Sequence, residues 1–218
     1  MSATLTIDFV SDVSCPWCAI GLSALEQALA RVAPEITAKV QVQPFELNPN
    51  MPAGGQDITE HLTQKYGSTA QQQSAIRETI RQRGAELGFT FRVQGRDRIY
   101  NTFDAHRLLH WAELTGLPGQ QLALKKALLQ AYFSHGQSPE DRAVLVQAAA
   151  SVGLDSNGAL AALSGDAYAL DVRERERLFT QAGIQSVPAV IINQQHLISG
   201  GQPVAVFERA LRQIAAGA

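Results

Sequence analysis

Residues 11–22 read SDVSCPWCAIGL and hold both cysteines of a 218-residue chain, Cys15 and Cys18. Two cysteines scattered by chance seldom fall three apart. The spacing therefore asks for a cause: a redox pair, half of a metal site, or two small buried residues. Before the pair, TLTIDFV alternates Leu5, Ile7 and Phe9 and predicts a strand over 3–9. After it, AIGLSALEQALARV carries Leu22, Leu25 and Leu29 at helical spacing. Pro16 fits the first turn of that helix, where N–H groups lack partners anyway. AKVQVQPFEL then predicts a second strand, with Val40 and Val42 alternating. The cysteines thus sit where a first strand meets a helix, inside a strand–helix–strand unit.

That position favours redox chemistry. Unpaired N–H groups and the positive end of the helix dipole stabilise thiolate over thiol, and the thiolate is the species that attacks disulfides. Cys15, ahead of the helix, is the expected nucleophile. Cys18, one turn further in, is expected to be more buried and to resolve a mixed disulfide. Pro16 and Trp17 between them help set the redox poise. A zinc site needs about two further ligands, and the histidines are His61, His106, His110, His135 and His196. Of these, His106 and His110 alone are closely spaced, four apart on one face of a helix.

Beyond NPNMPAGGQ the composition is helical to about residue 182, in segments near 57–66, 70–87, 101–115, 119–133, 139–151 and 166–182. SPEDRAVLVQAAASVG is the best delimited: Ser138 as cap, Pro139 in the first turn, Glu140 and Asp141 at the positive end, Gly153 closing it. Strands return in PAVIIN and QQHLIS, joined by a tight turn near Asn193–Gln194, and PVAVFERALRQIAA is a final amphipathic helix. The order βαβ, helices, ββα predicts an α/β thioredoxin-like fold with a large helical domain inserted between its halves. Residues 1–50 and 183–218 would form the thioredoxin-like domain and residues 51–182 the inserted helical domain. In such a fold the loop of GIQSVPAVIIN faces the cysteines. Pro188 is then a candidate cis-proline, and the Val187 backbone is free to pair with an extended substrate.

Composition narrows the partners. A net charge of −2 gives no global electrostatic case for nucleic acid or an anionic membrane. DVRERERLF alternates sign and reads as a solvated helix face. No basic cluster precedes an apolar stretch at the N-terminus and no run of about 18 apolar residues occurs, so the expectation is a cytoplasmic protein without a membrane span.

With these stretches in hand, and with PFELNPNMP, YNTFDAHRLLHWA and ISGGQP, the sequence resembles the DsbA family of thiol–disulfide oxidoreductases. It looks most like the FrnE-like cytosolic branch, which neighbours 2-hydroxychromene-2-carboxylate isomerases and kappa-class glutathione transferases. The resemblance implies dithiol–disulfide exchange with no metal or nucleotide cofactor, glutathione being a candidate co-substrate. The implied partner is a disulfide-containing protein or a low-molecular-weight thiol. A homodimer is the candidate assembly, since kappa-class relatives dimerise.

Carried over by position, Cys15 attacks, Cys18 resolves and Pro188 is the cis-proline. NTFDAHR would begin a helix lining the cleft, making Asn101 and His106 candidate substrate or thiolate neighbours. Related enzymes keep a buried acid near the resolving cysteine. Asp8, on the sheet face opposite Leu5, Ile7 and Phe9, is the candidate, and Asp12 its competitor. CPWC in place of the CPHC of periplasmic DsbA removes a neighbour that could be cationic and implies a less oxidising couple. Two other functions stay open: glutathione-dependent isomerisation, whose enzymes typically carry serine at the first position, and non-catalytic binding of unfolded chains.

Overall fold

Strand β1 (Ala3–Ser11) runs into helix α1 (Pro16–Val32), and the chain returns through β2 (Ile36–Pro44), parallel to β1 with Ile7 opposite Val40. The computed structural model describes residues 3–217; residues 1, 2 and 218, at the outer ends of the two expected thioredoxin-like segments, lie outside it. A two-residue strand β3 (Gln56–Asp57) opens the next part, followed by α2 (Ile58–Tyr66) and α3 (Ala70–Glu86). Strand β4 (Arg98–Ile99) then pairs antiparallel with β3. Five helices follow: α4 (Phe103–Thr115), α5 (Gln120–Phe133), α6 (Arg142–Ser151), α7 (Ser156–Leu163) and α8 (Ala169–Gln181). Strands β5 (Ala189–Ile192) and β6 (His196–Ser199) and helix α9 (Val204–Ala216) complete the chain. The main sheet has the order β2-β1-β5-β6, with β5 antiparallel to both β1 and β6. This is the thioredoxin-like α/β fold, with the helices entering between β2 and β5.

The two faces of β1 explain the layers. Successive side chains point to opposite sides of a strand. Leu5, Ile7 and Phe9 pack with Leu22 and Leu25 of α1 and with Phe207 and Leu211 of α9. Val10, on the other face, packs with Phe45, Phe179 of α8, Ile184 and Ala189. Full burial of each such side chain contributes roughly 1.5–3 kcal/mol. A further core joins α4, α5, α6 and α7 through Leu108, Leu124, Leu145 and Leu163, and reaches the sheet at Val42 and the turn after β1 at Val13. The inserted helices are thus packed directly behind the segment that carries the cysteines.

Three details differ from the expected elements. Helix α6 starts at Arg142, where the Asp141 carboxylate accepts from the Ala143 N–H; Ser138 Oγ accepts from Glu140 N–H in the preceding turn instead. Helix α7 was not foreseen because Gly158 interrupts its helical composition. That glycine answers to packing: a Cβ there would lie 2.8 Å from the Trp111 ring. The β3–β4 ribbon is too short for any alternation to show. At the β5–β6 turn, Asn193 and Gln194 take φ of 52° and 58°, as a tight hairpin turn requires, and Asn193 Oδ1 accepts from the Thr6 N–H.

Candidate active site

Cys15 is the N-cap residue of α1, with φ −93° and ψ 113°, and Pro16 follows in the first turn. The Cys18 N–H donates to the Cys15 carbonyl at 3.1 Å, closing a turn that brings the two side chains together. Both thiols are free. Cys18 is wholly buried and Cys15 is 3% exposed, but Cys15 lines a cleft of about 440 Å³ that Cys18 does not reach. Helix position and burial then set the two sulfurs apart. A hydrogen bond from Cys18 holds the Cys15 thiol below its ordinary value against the opposing effect of burial, and the Cys18 and Trp17 N–H groups add to it. Burial raises the Cys18 thiol well above its ordinary value, and its place beside Cys15 raises it further.

The loop before β5 closes one side of the pair. Cys15 Sγ lies 3.6 Å from the Val187 carbonyl oxygen as a donor, and the Val187–Pro188 peptide is cis. Among the described residues no backbone carbonyl accepts from the Val187 N–H. Pro188 is wedged against α1: a Cβ on Gly21 would stand 2.9 Å from Pro188 Cγ and 3.3 Å from Gly201 Cα. Trp17, beside Pro16, forms part of the cleft wall.

Behind the pair lies a buried polar group whose acid is Asp12. Its carboxylate accepts from Ser14 N–H at 3.1 Å, Ser14 Oγ at 2.9 Å and Leu47 N–H at 2.7 Å, and His106 Nε2 stands 3.5 Å away. Burial alone would raise the Asp12 pKa. The His106 imidazole and the backbone N–H groups of Leu47 and Ser14 outweigh it and hold the carboxyl far below the usual carboxylate range. Asp8 is elsewhere: it is half-buried and accepts from Gln43 Nε2 at 2.7 Å, in a chain that continues through Arg175 to Glu113. The buried carboxylate beside the cysteines is Asp12, not Asp8.

His106 and Asn101 also take other places than the cleft wall. His106 is buried against Asp12, and among the described residues neither ring nitrogen has a hydrogen-bond partner, Nε2 making only the 3.5 Å contact with the carboxylate. Asn101 Oδ1 accepts from the Phe103 N–H at the start of α4, while its Nδ2 donates to Met51 O. Neither lines the cleft. His110 lies 3.8 Å from Glu113. No group of three His, Cys, Asp or Glu is arranged to hold a metal among the described residues.

Several site residues gave no signal in the sequence. Lys125, from α5, is wholly buried, and its Nζ donates to Ser11 O at 3.4 Å. Burial lowers its pKa, while the cysteine sulfurs and Asp12 pull it back up. Nothing in the sequence around it marks it as buried. The same cleft is lined by His61 of α2, Arg77 of α3, and Arg92 and Arg96 of the loop before β4. A loop has no periodicity to announce which way its arginines face.

Comparison with known proteins agrees with this fold. The family model for the DSBA-like thioredoxin domain matches residues 6–212. The uncharacterised protein YwbO of Bacillus subtilis is 28% identical over 210 residues, 95% of this chain and 96% of that protein. A probable DsbA oxidoreductase from Streptomyces coelicolor superposes with a TM-score of 0.87 at 35% identity, covering 98% of this chain and 90% of that one. The cytosolic disulfide reductase DsbM of Pseudomonas aeruginosa, solved with GSH, gives a TM-score of 0.61 at 18% identity, over 95% of this chain and 99% of that one. That last likeness is one of fold alone. No helix among the described residues is long and apolar enough to cross a membrane.

Proposed function

The chain belongs to the DSBA-like thioredoxin domain family, and on that premise we propose that it exchanges disulfides through a Cys15–Cys18 dithiol. The Cys15 thiolate attacks one sulfur of a substrate disulfide. A bond forms between Cys15 and that sulfur as the substrate S–S bond breaks, and the leaving thiolate takes a proton. Cys18 then loses its proton and attacks Cys15 Sγ, releasing the second substrate thiol. The substrate gains two electrons and the protein keeps an internal disulfide, which a further thiol reduces; the reverse sequence oxidises a dithiol. What carries this reading is the asymmetry of the two sulfurs: one depressed and open to a cleft, one raised and sealed behind it.

The Val187 backbone offers an extended substrate a place to pair beside Cys15. Trp17 in place of a potentially cationic residue favours a poise suited to reduction or isomerisation in the cytoplasm, as in the FrnE-like branch. Disulfide-bearing proteins and low-molecular-weight thiols are the proposed partners, with glutathione a candidate co-substrate; DsbM, of similar fold, is solved with it.

The test is thiol titration across glutathione redox buffers for the wild type, Cys15→Ser and Cys18→Ser. A reversible two-electron transition is expected in the wild type alone, with Cys18→Ser trapping a mixed disulfide. Two thiols that never form an internal disulfide would overturn the assignment. Full multiple turnover by Cys18→Ser would transfer it to a glutathione-dependent isomerase.

A further inference from the structure

We propose that the cleft over Cys15 selects small disulfides that carry carboxylates, in preference to neutral disulfides and to loops of folded proteins. The proposal rests on the dithiol reading above and names the substrate class that reading leaves open. Its starting point is a local imbalance of charge. The chain as a whole is slightly acidic, at −2, yet among the described residues the cleft wall contains Arg77, Arg92 and Arg96 and no aspartate or glutamate.

Two of these guanidiniums are held, and none is neutralised by a buried carboxylate among the described residues. Arg77 Nη1 donates to the Gln94 carbonyl at 3.1 Å, and Arg96 Nη1 donates to the Ser14 carbonyl at 2.7 Å. Arg96 also lies over the Phe133 and Tyr132 rings, 5.3 and 5.6 Å from their centroids. Arg92 has one carboxylate within ion-pair range, that of Asp97 at 3.9 Å, whose side chain is 76% exposed. A solvated partner at that distance screens little. Three cations around a cleft attract an anion, and a planar guanidinium binds a carboxylate through two parallel hydrogen bonds.

Position ties this charge to the chemistry. Arg96 is anchored on Ser14, the residue before the nucleophile, so an anion on it lies next to Cys15. Size sets the other limit. A space of about 440 Å³, walled by the Cys15 loop, Val187, α2, α3 and the arginine loop, is in the range of small-molecule sites.

The experiment measures the second-order oxidation rate of the reduced wild type by three small disulfides: 3,3′-dithiodipropionate (dianion), bis(2-hydroxyethyl) disulfide (neutral) and cystamine (dication). Each rate is divided by that of dithiothreitol with the same compound, which removes intrinsic reactivity; reduced insulin formation is followed in parallel. The expected order is dianion over neutral by about tenfold or more, dication slowest, with the spread narrowing at high salt. Arg77→Gln and Arg92→Gln should move the dianion-to-neutral ratio towards one, and Arg77→Lys and Arg92→Lys should retain most of it. Equal normalised rates for the three compounds, or insulin outpacing all of them, would overturn this proposal while leaving the dithiol reading intact. No oxidation by any disulfide would overturn that reading instead.

Discussion

His106 Nε2 stands 3.5 Å from Asp12 Oδ1, with both side chains 1% exposed, so an acid and an imidazole face each other in the wall behind the cysteines. Asp12 also ties the Cys15 loop to the end of β2, through Ser14 on one side and Leu47 on the other. Asp12→Ala leaves those donors buried without an acceptor and should cost on the order of 3–5 kcal/mol in urea denaturation at pH 7, Asp12→Asn less. The sign in pH follows from the depressed carboxyl. Its contribution is present above the ordinary carboxylate range and is lost as pH falls through the depressed value. The stability gap between wild type and Asp12→Asn should therefore shrink below about pH 4. A gap that widened there would refute the assignment of the charge to Asp12.

Gly21 makes a separate prediction about the Pro188 loop. Alanine there gains about 1 kcal/mol of helix propensity, but its methyl group would sit 2.9 Å from the Pro188 ring. A proline ring has little room to yield. Gly21→Ala should lose roughly 1–3 kcal/mol by overpacking, and disulfide exchange should slow as Val187 moves away from Cys15. Stabilisation by this substitution would mean that α1 and Pro188 are not in close contact.

How far the sequence announces this site depends on periodicity. The strand–helix junction at Cys15 was legible because alternation in TLTIDFV and the leucine spacing after it each report one buried face. The final hairpin was legible from Asn193–Gln194 for the same kind of reason. Asp8 misled because alternation tells which face of β1 a residue takes, not what covers that face; Gln43 and α8 cover it. Asp12, past the regular part of the strand, has no pattern to place it. Lys125 and the arginines of the cleft are polar residues whose burial depends on how α3, α5 and a loop pack across the chain, and no local signal encodes that packing.

Lys125 tests whether the insertion contributes to the exchange chemistry. It is a buried amine whose one hydrogen bond among the described residues is a 3.4 Å contact to Ser11 O, and the cysteine sulfurs are among the charges that act on it. Its depressed value means that charging it in the fold costs stability, so that stability falls as pH drops from the ordinary lysine range towards the depressed value. Lys125→Met, close in volume, should leave the protein as stable or raise its urea midpoint at pH 7. The resolving step should nevertheless slow, and its rate should climb at higher pH, because the Cys18 thiolate loses its nearby cation. Stopped-flow release of the second thiol at several pH values separates the two effects. An unchanged pH profile would confine Lys125 to a packing role.

Glu46 predicts a pH response near neutrality. Its carboxylate pairs with Arg173, which also donates to Glu176 at 2.8 Å and stacks 3.8 Å from the centroid of Phe103. Each glutamate keeps one buried oxygen without a partner, so a single guanidinium serves two carboxylates. Burial, and then the charge of Glu176, push Glu46 up to about 7 despite Arg173. A folded value raised above the unfolded one gives stability that is fully present below about 4.5 and is lost as pH rises through about 7. Glu46→Gln holds the neutral form throughout. It should match the wild type near pH 4.5 and exceed it at pH 8 by on the order of 1 kcal/mol. Urea midpoints at half-unit steps between those limits make the comparison. Because Leu47, the next residue, is held by Asp12 and lines the cleft, the exchange rate of the wild type should follow the same titration. Parallel pH curves for the two proteins would show that Glu46 is already ionised across this range and that Arg173 outweighs its burial.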